Sequence, residues 1–216
     1  MGKQLLLIRH GKSDWGNSHI SDFDRPLNAR GLRNAPEMAG RILKKAQVPQ
    51  WLVSIPAVRA LTTARNFAEV WNKPLAQIQE ETSIYEANVM ALLNVVNKLS
   101  DKHDSVALFG HNPGLTEFAN YLSNANLYNI PTCGTVLIEF PFEKWAQISH
   151  HTGNLLAFDF TLQTMATHGF SKLADQHRRE RGFHVPGQIV IIGHQRVEQG
   201  FLELGASALA RRALCA

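Results

Sequence analysis

Cysteine is scarce: only Cys133 and Cys215 occur in 216 residues, far apart in sequence. Two such residues make neither a disulfide framework nor a sulfur-rich metal cluster, and they read as free thiols. Long apolar runs are lacking too. None approaches the roughly 18 residues of a membrane span, and Leu5 to Ile8 is too short for the core of a secretion signal. A soluble cytoplasmic protein without membrane contact is the expectation. There is no internal repeat and no low-complexity segment. Charge of one sign does not dominate. The net charge is +4, but residues 1–160 hold 15 Lys and Arg against 14 Asp and Glu. No basic run interleaved with aromatics appears there, so the sequence predicts no nucleic-acid partner.

What is present is an ordinary globular balance, 44% hydrophobic and 19% charged. Short apolar runs alternate with helical spacing. Gln4–Ile8, Trp51–Ile55, Ser105–Phe109 and Thr135–Phe140 read as strands, with Trp145–Ser149 and Leu155–Phe160 as weaker ones. Gly31–Lys45, Ala57–Trp71, Met90–Leu99 and Leu115–Leu122 read as helices, Pro36 falling in the first turns of the first. This alternation predicts an α/β three-layer sandwich with a mainly parallel central sheet flanked by helices. The composition shifts near residue 160, from 8 Lys and 7 Arg before it to 1 Lys and 6 Arg after it. We therefore read residues 1–160 as one domain and 161–216 as an extension of unknown structure and origin. Within the extension, Gln188–Ile192 resembles a strand and Phe201–Leu214 a short helix.

Ligands of open α/β sheets bind beyond the carboxyl ends of the strands. The first strand runs into Arg9-His10-Gly11, the second into Pro56-Ala57-Val58-Arg59, and the third into Gly110-His111-Asn112. Arg25, in the loop after the first strand, can reach the same end. Two His and three Arg in one volume repel each other unless they hold an anion. The guanidinium fork fits phosphate oxygens in pairs, and the helix start after Pro56 adds amide protons. An unprotonated imidazole among these cations can attack phosphorus, which points to phosphoryl transfer through a phosphohistidine. His10 and His111 lack acidic or sulfur partners at metal spacing, so no metal is expected.

Arg9-His10-Gly11-Lys12-Ser13-Asp14-Trp15 and Ser21-Asp22-Phe23-Asp24-Arg25-Pro26-Leu27-Asn28-Ala29-Arg30-Gly31 resemble the SixA-type phosphohistidine phosphatase branch of the histidine phosphatase (phosphoglycerate mutase-like) superfamily. So do Pro56-Ala57-Val58-Arg59-Ala60 with Thr63-Ala64, Tyr85-Glu86-Ala87, and Gly110-His111-Asn112-Pro113-Gly114. The five motifs stand in order over residues 1 to about 160. The resemblance implies a phosphoglycerate mutase-like fold and no cofactor. It makes His10 the phosphorylated nucleophile, with Arg9, Arg25 and Arg59 on the phosphoryl oxygens and His111 completing the pocket as a charged donor. Asn112 would shape the rim and bind substrate. Glu86 is the candidate general acid. Ile55 departs from the pattern, standing where the branch usually has a second serine.

The expected function is a cofactor-independent phosphatase whose partner is a phosphohistidine-bearing protein or a small phosphorylated molecule. A phosphoglycerate mutase-like phosphotransferase and a non-catalytic phosphate- or phosphoprotein-binding module are the alternatives.

Overall fold

A computed structural model describes residues 2–16, 18–45 and 48–161. The strand and helix expected within 188–214, together with Cys215, lie outside the described residues. The elements in chain order are β1 (Lys3–Arg9), α1 (Ala29–Lys45), β2 (Trp51–Ser54), α2 (Val58–Val70), β3 (Ile78–Glu80), α3 (Val89–Asn97), β4 (Ser105–Gly110), α4 (Gly114–Leu122), β5 (Thr135–Phe140) and β6 (Asn154–Asp159). They build one six-stranded sheet of order β3-β2-β4-β1-β5-β6. The expected α/β sandwich with a mainly parallel sheet is the observed fold.

Side chains of a strand point alternately to opposite faces, and β1 shows how one apolar run serves two cores. Leu5 and Leu7 pack with Leu92, Val96, Phe118 and Leu122 of α3 and α4. Leu6 and Ile8 pack with Met38, Ala39, Phe67 and Ala68 of α1 and α2. All four β1 residues are buried. A strand covered on both faces needs an unbroken apolar run rather than an alternating one, which is why Leu5–Ile8 is continuous.

Four features differ from the sequence reading. β5 runs antiparallel to β1, pairing Ile8 with Thr135 and Lys3 with Phe140. The strand expected at 145–149 is instead a 3-10 turn at Trp145–Gln147. Trp145 there is fully buried, and its indole Nε1 donates to the His103 carbonyl at 2.8 Å. The short edge strand β3 was not foreseen, because its three residues carry little apolar signal. Helix α1 begins at Ala29, which places Pro36 inside it rather than in its first turn. The carbonyl that Pro36 leaves without an amide partner belongs to exposed Leu32, where water can serve it.

The chain leaves β1 toward α1 on one face and leaves β4 toward α4 on the other. These two strands are neighbours, so a crevice opens between their carboxyl ends, a topological switch point.

Candidate active site

Register brings the two histidines together. Arg9 lies opposite Gly110 in the β1–β4 ladder, and the His10 amide donates to the Gly110 carbonyl at 3.0 Å. His10 and His111 therefore leave adjacent strands at the same height. They line one cavity of about 610 Å³ with Arg9, Arg25, Arg59 and Glu86. Asn112 also lines it.

The His10 ring is buried, and its Nδ1 lies 2.6 Å from the Gly11 carbonyl. A carbonyl only accepts, so Nδ1 carries the proton and Nε2 keeps its lone pair. Burial is the main cause that pushes the His10 pKa down to about 3, and Arg59, Arg9 and His111 add to it against the Gly11 bond. A neutral imidazole is the form a nucleophile needs.

The loop behind His10 is fixed from α2. The Gly11 amide donates to Thr63 Oγ1 at 2.9 Å, and that hydroxyl donates to the Arg59 carbonyl at 2.7 Å. Gly31 closes the other side. A Cβ there would stand 2.3 Å from the Lys12 carbonyl oxygen, so only glycine lets α1 approach the loop this closely.

Each arginine has its own support. Arg9 Nη1 donates to the Ile130 carbonyl at 2.6 Å and to Asn129 Oδ1 at 3.2 Å, in the segment leading to β5. The Cys133 amide in turn donates to the Arg9 and His10 carbonyls at 3.1 and 3.0 Å. Burial lowers the Arg9 pKa. The Arg59 side chain is only 4% exposed, and its Nη2 donates to Asp22 Oδ2 at 2.8 Å, while its Nη1 meets the Asp22 carbonyl. Arg25 Nη2 reaches Asp22 Oδ1, and its guanidinium lies 3.5 Å over the Trp15 ring. Burial, then Arg59, lowers the Arg25 pKa.

His111 packs edge-on against Tyr85 at 5.7 Å between centroids. Its Nδ1 is buried without a protein partner, as are Arg9 Nε and Arg25 Nε. Burial first and Arg59 next lower the His111 pKa, while Glu86 raises it. His111 thus favours its neutral form against the surrounding arginines, where the sequence reading made it a charged donor. A phosphoryl dianion would act in the opposite direction.

Two further expectations are adjusted. The donors of Asn112 are committed elsewhere, Nδ2 bonding Asn129 Oδ1 at 2.7 Å and the Ile130 carbonyl at 3.1 Å. Asn112 therefore anchors the same segment that holds Arg9. The first amide of α2, that of Val58, donates to the Phe23 carbonyl at 3.0 Å, so it is already satisfied within the protein. Ile55 is fully buried in the core on the α3 and α4 side, which suits an apolar residue in place of serine.

Glu86 is exposed and lines the cavity with a backbone φ of 52°, a left-handed conformation that costs energy for a residue with a Cβ. Gly114 holds this segment close, since a Cβ there would stand 2.8 Å from the Ala87 carbonyl oxygen. Residue-by-residue reading gave no role to Asp22, Tyr85 or Thr63, although all three stand inside the quoted motifs. Their partners are distant in sequence, so only the fold reveals them. Among the described residues, no group of three or more His, Cys, Asp and Glu is placed to hold a metal ion.

Residues 5–92 match the family model of the histidine phosphatase superfamily (branch 1). An uncharacterized chloroplastic protein of Arabidopsis thaliana is 28% identical over 155 residues, 68% of this chain and 71% of its own. A structure from Agrobacterium tumefaciens, assigned as phosphohistidine phosphatase SixA, superposes with a TM-score of 0.61 at 22% identity. It covers 73% of this chain and 97% of that one. The protein histidine phosphatase SixA complexed with tungstate gives 0.57 at 18% identity, covering 63% and 88%. The motif order, the fold and the family match point the same way: residues 5–92 match the histidine phosphatase superfamily (branch 1), and the described domain shares the fold of the SixA structures.

Proposed function

We propose that the protein is a cofactor-independent phosphatase that works through a phosphohistidine on His10. One observation carries the reading: His10 donates Nδ1–H to its own loop, leaving the Nε2 lone pair in a cavity shared with three arginines and a second histidine. In the first step Nε2 attacks phosphorus and the bond to the leaving group breaks. Arg9, Arg25, Arg59 and His111 hold the oxygens whose charge develops in transfer. The leaving group takes a proton from the Glu86 carboxyl. In the second step water attacks the phosphohistidine, gives its proton to the Glu86 carboxylate, and phosphate departs with His10 restored.

The favoured substrate class is a phosphorylated side chain on another protein, phosphohistidine in the first place. Trp15, 70% exposed, lines the cavity over the Arg25 guanidinium, and the partly exposed Phe23 packs edge-on against Tyr85. Exposed aromatics of this kind suit a protein partner better than a small polar ester.

The test is phosphate release from a phosphohistidine-bearing carrier protein and from p-nitrophenyl phosphate. His10→Ala is expected to abolish both. Glu86→Gln is expected to slow hydrolysis of an alkyl phosphate by about 10²-fold or more and phosphohistidine much less, because the P–N bond is already activated. Equal modest effects remove Glu86 as the acid. Wild-type protein that binds phosphate without releasing it from either substrate is a binding module. A phosphoenzyme that survives in water until phosphoglycerate arrives marks a transferase.

A further inference from the structure

The cations that the phosphatase reading assigns to substrate already hold an anion from the chain itself. The Asp22 carboxylate spans Arg25 and Arg59. One oxygen accepts from Arg25 Nη2, and the other accepts from Arg59 Nη2 at 2.8 Å and from the Tyr85 hydroxyl at 3.2 Å. Its main-chain carbonyl takes Arg59 Nη1. Asp22 itself lines the cavity with His10 and His111.

A permanent structural clamp would bury its carboxylate. Here the Asp22 side chain is 47% exposed, whereas its partners are 12% exposed at Arg25 and 4% at Arg59. A water-accessible carboxylate on sheltered guanidiniums is the partner that can leave. The segment that carries it is tied at both ends and, through the Phe23 carbonyl that accepts from the Val58 amide at 3.0 Å, to the start of α2. The Asp14 amide donates to the Pro26 carbonyl and the Asn28 amide to the Lys12 carbonyl, both at 2.9 Å, while Ser13 bridges Leu27. None of these backbone ties involves the Asp22 carboxylate, so its side chain can turn away from the guanidiniums without disturbing β1 or α1. Arg25 Nε and Arg9 Nε remain without a protein partner, so the site has more donors than one carboxylate satisfies.

We propose that Asp22 is an internal competitor for the phosphoryl group, an inference that rests on the phosphatase reading. A guanidinium hydrogen bonded to Asp22 is not available to a phosphoryl oxygen, so substrate displaces the carboxylate and departing phosphate is replaced by it. The exchange sets a charge threshold. A phosphoryl dianion outcompetes one carboxylate on two guanidiniums; a monoanion such as a carboxylate or a sulfate monoester does not. It also limits product inhibition, because phosphate must hold the site against a competitor that never diffuses away.

The experiment is calorimetric titration of the full chain with inorganic phosphate and with tungstate, wild type against Asp22→Asn. Loss of the competing charge is expected to tighten both oxyanions about tenfold, and to let the monoanion methyl sulfate bind where it does not bind wild type. Unchanged affinity overturns the proposal, and so does weaker affinity, which would make Asp22 a support that positions Arg25 and Arg59. Thermal melting checks that the variant is folded, and Asp22→Ser answers the same question if the asparagine form is not. Wild type that turns over substrate while the variant binds no tighter removes this proposal and leaves the phosphatase reading. Failure of both forms to bind either oxyanion, or to turn over any substrate, removes both.

Discussion

Keeping His10 neutral in the fold has a cost that shows in stability. Its folded pKa is about 3, and an unfolded imidazole titrates near 6.5. The native state therefore binds fewer protons than the unfolded state between these values, and stability falls as pH drops from about 6.5 toward 3. His111, lowered by burial and Arg59, pulls the same way. Urea unfolding at pH 7 and pH 4 is expected to show wild type losing a few kcal/mol across that range, and His10→Gln losing distinctly less. An equal loss in both proteins would mean that His10 ionises freely in the fold. The pairing of His and Arg residues at strand ends was legible in the sequence, because each stands directly after an apolar run. The Asp22 contacts were not, since Arg59 lies 37 positions away and nothing local distinguishes Asp22 from Asp24.

Among the elements, the approach of α1 to the loop behind His10 is the contact most sensitive to a single methyl group. Gly31→Ala would place a Cβ within 3 Å of backbone atoms of Lys12, which cannot swing aside as a side-chain tip can. Overpacking of this kind is expected to destabilise by about 1–3 kcal/mol and to lower turnover with it, because Lys12 lies in the loop directly after His10, the proposed nucleophile. Denaturant midpoint and phosphatase rate measured together check this; a fully stable and active variant would show that the helix start yields. Element type was readable wherever periodicity ran long, as in α1 and α2. Direction was not. Nothing in Thr135–Phe140 states that β5 runs antiparallel, yet that direction brings the segment before it, Asn129 to Cys133, to the end of the sheet where Arg9 needs a carbonyl. Trp145 misled for a related reason: an apolar run that plugs a core through one indole looks locally like a strand.

At the scale of the molecule, both cores and all six strands close within residues 2–161. The end of β6 is tied back to α1 by Arg41 Nη2 to Asp159 Oδ1 at 2.5 Å and by Asn34 Nδ2 to Thr161 Oγ1 at 2.7 Å. We therefore expect a chain ending after residue 161 to unfold cooperatively, with a midpoint within a few degrees of the full chain, and to keep its affinity for phosphate. A non-cooperative melt of the shorter chain would place part of the domain's support in residues 162–216. The composition shift near residue 160 is a sequence sign of the boundary that this experiment tests.

Cys133 is the only described cysteine, and it stands in the turn whose amide clasps the Arg9 and His10 carbonyls. It is completely buried, and burial pushes its thiol up to about 12. Alkylating agents and peroxide react with thiolates, and at this end of the sheet they find none. The His10 chemistry proposed above, beside so well-sealed a sulfur, would continue under oxidative conditions that would silence a cysteine nucleophile.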